Sequence, residues 1–92
     1  MPNYSEKIHN TSEVMKALAH PARVCIVSKL RHENLNVNQM QDCLDISQSN
    51  VSQHLNVLKR LHIIEGKRNG TEIIYSLVDE HVSRLVDLFF DK

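Results

Sequence analysis

The chain has 92 residues, the size of one small domain with a core near the minimum that folds alone, which excludes a multidomain enzyme. Hydrophobic residues make up 41% and charged residues 24%, so neither a disordered chain nor a fibrous repeat fits. Eleven Lys and Arg balance eleven Asp and Glu, but unevenly: residues 46–71 hold Lys59, Arg60, Lys67 and Arg68 against Glu65 alone, and residues 72–92 hold Glu72, Asp79, Glu80, Asp87 and Asp91 against Arg84 and Lys92. A zero sum therefore does not exclude a polyanionic partner, because counterion release depends on the charges at the contact.

The punctuation predicts five helices and a hairpin. The first helix is expected from Asn10, which forms a capping-box pattern with Glu13, and carries Val14, Met15, Leu18 and Ala19 on one face. Pro21 stops it and opens the second, whose apolar residues Val24, Ile26, Val27 and Leu30 precede a polar exit, Arg31-His32-Glu33-Asn34. Asn36 and Gln39 cap a short third helix with Val37, Met40 and Leu44 inward, and Asp45-Ile46-Ser47 forms a turn whose serine caps the fourth.

That fourth helix sets Val51, Leu55, Leu58 and Leu61 in one stripe and leaves Gln48, Ser49, Ser52, Gln53, Asn56, Lys59 and Arg60 on the other sides. Ile63-Ile64, Lys67-Arg68-Asn69-Gly70-Thr71 and Glu72-Ile73-Ile74-Tyr75-Ser76-Leu77 then predict a hairpin, since Asn-Gly between β-branched runs is a strong turn signal. Asp79 is the expected N-cap of a last amphipathic helix through Val82, Leu85, Val86, Phe89 and Phe90.

Two short helices around a tight turn, then a basic-tipped hairpin, define a mainly α-helical winged helix-turn-helix, a single domain over residues 1–92. A helix entering the major groove needs small or hydrogen-bonding outward residues, and Gln48, Ser49, Ser52, Gln53 and His54 supply them. Amides pair with adenine edges, and serine meets bases or phosphates. Lys59, Arg60, Lys67, Arg68 and Asn69 are the candidates for backbone contacts, which position a protein without reading sequence. The predicted partner is double-stranded DNA. On helix composition alone, the same polar residues would also serve simply to solubilise an exposed face.

Lys16-Ala17-Leu18-Ala19-His20-Pro21-Ala22-Arg23 and Ile46-Ser47-Gln48-Ser49-Asn50-Val51-Ser52-Gln53-His54-Leu55 resemble the second helix and recognition helix of the ArsR/SmtB bacterial transcriptional repressors. Leu58-Lys59-Arg60, Arg68-Asn69-Gly70 and Ile74-Tyr75-Ser76-Leu77 resemble that family's wing, so the likeness covers most of the chain. It implies a homodimer through the first and last helices, a palindromic operator, repression by blocking polymerase, and release by a metal ion or thiol chemistry. Independently, Val14, Leu18, Val82, Leu85, Val86, Phe89 and Phe90 on the terminal helices would leave an apolar patch on a monomer, which a two-fold interface hides.

The family's signal sites are matched only in part. Its metal-thiolate sensors carry Cys-x-Cys where this chain has Asn36-Val37-Asn38, and amides cannot replace thiolates. Asp79 and His81 match half of the zinc-type site, but Lys92 stands 11 residues beyond His81, so two of four tetrahedral ligands are present and no cofactor or metal is expected. Asp79 as a helix cap and His81 as a surface residue explain the same pair. Cys25 and Cys43 have no metal-knuckle spacing and are expected to be core thiols, with a reactive role as redox candidates left open. His9, His20, His32 and His62 show no ligand spacing.

With two glycines, no phosphate loop and no nucleophile motif, an enzyme is excluded. The opening Met1-Pro2-Asn3-Tyr4-Ser5-Glu6-Lys7 has no apolar h-region and no run spans a membrane, so the expected location is the cytoplasm. The alternative readings are a winged-helix module that binds protein and a constitutive, signal-blind repressor.

Overall fold

The computed structural model describes residues 4–44 and 48–90, with the side chains at 42–44, 48 and 49 outside that description. In chain order the elements are α1 (Tyr4–Leu18), α2 (Pro21–Leu30), α3 (Val37–Leu44), α4 (Gln48–Arg60), β1 (Ile64–Asn69), β2 (Glu72–Leu77) and α5 (Glu80–Phe90). The expected turn at Asp45-Ile46-Ser47 and the Ser47 cap lie outside the described residues.

Helix α1 already includes Tyr4, so Asn10 lies within it and is not its cap. No proline or glycine interrupts this stretch, and Thr11 Oγ1 and Ser12 Oγ donate back to the carbonyls of Lys7 and His9, which absorbs these cap-forming residue types into the helix. Its buried residue is Ala17, flanked by Val14 and Leu18 against the core, while Met15 and Ala19, expected inward, are exposed. His20 then takes an extended backbone (φ −150°, ψ 121°), as a residue before proline prefers, and Pro21 starts α2.

Ile26, Val27 and Leu30 face inward from α2. At its C-terminus the nearly buried Arg31 donates Nη1 to Asp87 Oδ1 at 2.6 Å and sits 5.8 Å from the centre of the Phe90 ring. The ion pair and the cation–π contact hold α5 against α2. Helix α3 opens with a reciprocal capping box: Gln39 N donates to Asn36 Oδ1 at 2.9 Å, and Asn36 N donates to Gln39 Oε1 at 2.8 Å.

Val51, Leu55 and Leu58 of α4 are all buried, as their spacing predicts. The helix ends in a Schellman turn, with Ile63 N donating to Leu58 O, His62 N donating to Lys59 O, and His62 left-handed at φ 60°. Burial of Ile63 against the same core fixes this exit and aims the chain into the wing.

Strands β1 and β2 pair antiparallel from Ile64↔Leu77 to Asn69↔Glu72. The loop is Gly70-Thr71, one residue beyond the Asn-Gly pair, and Gly70 takes φ 68° at the first central position, where a type II′ turn needs glycine. Gly66 lies opposite Tyr75, and a Cβ there would sit 2.8 Å from Ile73 Cγ2 and 3.0 Å from the Tyr75 ring. A further pairing was not expected from the sequence: Leu35 exchanges both backbone hydrogen bonds with Tyr75, at 3.1 and 2.8 Å. It fastens the base of the wing to the segment between α2 and α3.

Asp79 caps α5, its Oδ1 accepting from the backbone N–H of His81 at 2.9 Å and of Val82 at 3.1 Å. Val82 and Val86 are 2% and 5% exposed and belong to this protomer's own core. Cys25 is half-buried and takes part in a disulfide, which overturns its expected free thiol. Sulfur pairing depends on how close the fold brings two helices, which spacing along the chain does not reveal. The Cys43 side chain lies outside the described residues.

Candidate nucleic-acid interface

The buried stripe of α4 fixes which of its residues look outward. Gln53, Asn56 and Arg60 follow one another at helical spacing on the exposed side, opposite Val51, Leu55 and Leu58. All three can hydrogen-bond, and Lys59 and Arg60 place positive charge in the last turn. Asn56, already placed on the polar side of this helix by its spacing, joins Gln53 and Arg60 here although it was not among the residues expected to meet DNA. The side chains of Gln48 and Ser49 lie outside the described residues.

Ser52 is half-buried on the flank toward α3 and the wing, in a crevice of about 370 Å³ shared with Asn36, Asn38, Thr71, Glu72 and Tyr75. Asn36 Nδ2 donates to Glu72 Oε2 at 2.9 Å across it, so the start of α3 and the start of β2 hold one another. Lys67, Arg68 and Asn69 are exposed along β1, where expected. With the Leu35–Tyr75 pairing, these contacts set the basic wing beside the outer face of α4.

His54 also meets another helix. It lies on the flank of α4 that meets α2, half-buried, with Nδ1 accepting from Arg23 Nε at 3.2 Å and its ring 4.6 Å from that of His20. Burial first, then the nearby His20 and Arg23, holds its pKa below the ordinary histidine value of 6.5. It makes a contact between helices, beside the apolar stripe that is turned into the core.

The apolar surface lies elsewhere. Leu85 is partly exposed, Phe90 half-exposed, and Leu88 and Phe89 are 80% and 78% exposed. An open apolar depression of about 430 Å³ runs between α1, α2 and α5, lined by Leu18, Val24, Val27, Leu85, Val86, Phe89 and Phe90. On α1 a second exposed stripe carries Tyr4, Ile8 and Met15, which the expected start at Asn10 concealed. Of the expected interface residues, Val14 and Leu18 are half-buried against the core.

Asp79 and His81 are adjacent, with 3.8 Å between Oδ1 and Nδ1, but His81 is almost fully exposed and that carboxylate oxygen is already the helix cap. Among the described residues no group of three or more His, Cys, Asp or Glu could hold a metal ion, and no helix is long and apolar enough to cross a membrane.

A helix pair with a polar outer face, followed by a basic two-stranded wing fastened at its base, is a winged helix-turn-helix. Residues 20–65 match the model of the bacterial regulatory proteins of the arsR family, and the chain belongs to that family. It is 38% identical over 85 residues to the HTH-type transcriptional repressor SmtB of Mycobacterium tuberculosis, covering 92% of this chain and 63% of that protein's length. The crystal structure of the transcriptional repressor PagR of Bacillus anthracis superposes with a TM-score of 0.80 at 36% identity, covering 90% of this chain and 95% of that one. A homodimeric winged helix-turn-helix DNA-binding domain from Mycobacterium bovis, Mb0332, superposes with a TM-score of 0.83 at 27% identity, covering 92% and 79%.

Proposed function

We propose that this protein is a dimeric transcriptional repressor of the cytoplasm that binds a palindromic DNA site through the outer face of α4 and the β1–β2 wing. The observation that carries the reading is the chemistry of two opposed surfaces. Gln53, Asn56, Arg60, Lys67 and Arg68 form a polar and basic face without an exposed apolar residue of α4 among them, and Leu85, Leu88 and Phe89 form an apolar face on α5. A groove lined by phosphates suits the first, and a second copy of the chain suits the second. The same two-fold axis then presents two recognition helices to two half-sites.

Release is read as thiol chemistry, supported by the disulfide at Cys25 in α2, a helix that contacts both α4 and α5. Fluorescence anisotropy of the reduced protein on a labelled duplex from its own promoter tests both parts. Tight binding that weakens steeply between low and moderate salt and exceeds binding to a random duplex is the expected result. Equal, weak binding to both duplexes, with retained affinity for a protein partner, would favour a protein-interaction module instead. A mild thiol oxidant added to the same cuvette should abolish binding, and reductant should restore it. Binding untouched by oxidant would leave a signal-blind repressor.

A further inference from the structure

One polar contact joins α4 to the corner where α1 ends and α2 begins. Arg23 Nε donates to His54 Nδ1 at 3.2 Å and Arg23 Nη1 donates to the carbonyl oxygen of Ala17 at 3.2 Å, while the His20 ring lies 4.6 Å from the His54 ring at a tilt of 59°. A guanidinium has donors only, so Nδ1 of His54 must be unprotonated and the ring a neutral tautomer with its proton on Nε2. Adding a proton at Nδ1 removes the acceptor and sets a second cation against Arg23.

We propose that Arg23 is a positioning residue for the recognition helix: through neutral His54 it holds α4 to the α1–α2 corner, so that protonation of His54 releases α4 and weakens DNA binding. This inference rests on the DNA-binding reading above. Among the described residues, α4 packs mainly against α2, α3 and β1. Arg23 of α2 and His20 at the α1–α2 corner face the imidazole. Helix α3 carries Asp42 and Cys43, whose side chains lie outside the described residues, and β1 carries Glu65, Lys67 and Arg68 on an exposed strand. Glu13 and Lys16 of α1 line a shallow depression with Arg23 and Arg60 on the near side of the same corner.

Because burial and the two neighbours lower the folded-state pKa of His54, the tie is intact above the ordinary histidine value and is lost as pH falls through the lowered one. The sign is diagnostic. Protonating surface histidines adds positive charge and by itself strengthens duplex binding, so a loss of affinity in acid runs against the general electrostatic trend.

The test measures anisotropy of the labelled promoter duplex between about pH 7.5 and about pH 5, at constant ionic strength, beside an NMR titration of the DNA-free protein. The expected result is a loss of affinity of about fivefold or more, centred where the His54 ring titrates, with the Arg23 Nε–H signal disappearing in the same step. His54→Asn, which offers a non-titrating acceptor, should remove the acid loss, and Arg23→Ala should lower affinity at neutral pH and remove it too. If Arg23→Ala fails to fold, the wild-type titration and His54→Asn still decide. Affinity that rises through the His54 titration, or an acid loss that persists in His54→Asn, overturns the proposal. No duplex binding at any pH overturns the functional reading as well, a result distinct from binding that ignores His54.

Discussion

The outer face of α4 carries Gln53, Asn56 and Arg60, whereas that of α5 carries Leu85, Leu88 and Phe89, although both helices close the same core with fully buried residues from beneath. The inward stripe of an amphipathic helix therefore says only that the helix packs, and the chemistry of its outward side says against what. Amide and guanidinium groups lose little by staying in water until phosphates and base edges replace it. Exposed leucine and phenylalanine side chains keep an unfavourable hydration free energy that only protein or lipid contact removes.

The contrast breaks most completely if α5 is made polar. Phe89→Glu should give a monomer by light scattering and lower promoter affinity by about 100-fold or more, because the two half-sites are no longer engaged together. An intact dimer would show that α5 is not the interface. Changes on α4 and the wing should instead leave the dimer whole. Gln53→Ala is expected to cost about 1–3 kcal/mol on the promoter duplex and little on random DNA, by comparative anisotropy. Equal loss on both duplexes would contradict base readout at this position. Lys67→Ala or Arg68→Ala should weaken all duplexes alike and reduce the salt slope by about one.

The smallest expected effect sharpens the junction between the two regions. His62→Gly relieves a side chain from left-handed backbone at the end of α4 and should raise stability by about 0.5–1 kcal/mol in denaturant unfolding, with DNA affinity unchanged. Destabilisation would mean that the His62 side chain contributes more than its backbone strain costs.

Much of this was legible because local signals agreed with the fold. Pro21 between two helices, the Asn36–Gln39 box, the Val51-Leu55-Leu58 stripe and the Asp79 cap each act within a turn or two of chain, and each stands where the sequence placed it. The errors fall where the deciding partner is remote. Nothing near Asn10 indicates that α1 already runs from Tyr4, since the residue types that cap helices also donate back to earlier carbonyls. Leu35 as a lone pairing partner of Tyr75, Val86 as a core residue, Cys25 as a disulfide and His54 as the acceptor for Arg23 all depend on elements distant in the chain. For the candidate interface, composition and spacing picked out basic residues that the fold leaves exposed, whereas the Arg23 contact of His54 depends on how α2 packs against α4.

If one apolar face makes the dimer and one polar face meets DNA, both should be visible in a single assembly. Sedimentation velocity of the protein mixed with a duplex carrying its promoter palindrome measures this directly. The expected species contains two chains per duplex, forms at low salt and dissociates to free duplex and protein dimer as salt rises. A complex with one chain per duplex, or a dimer that sediments apart from the duplex at every salt concentration, would show that the two faces do not divide these roles.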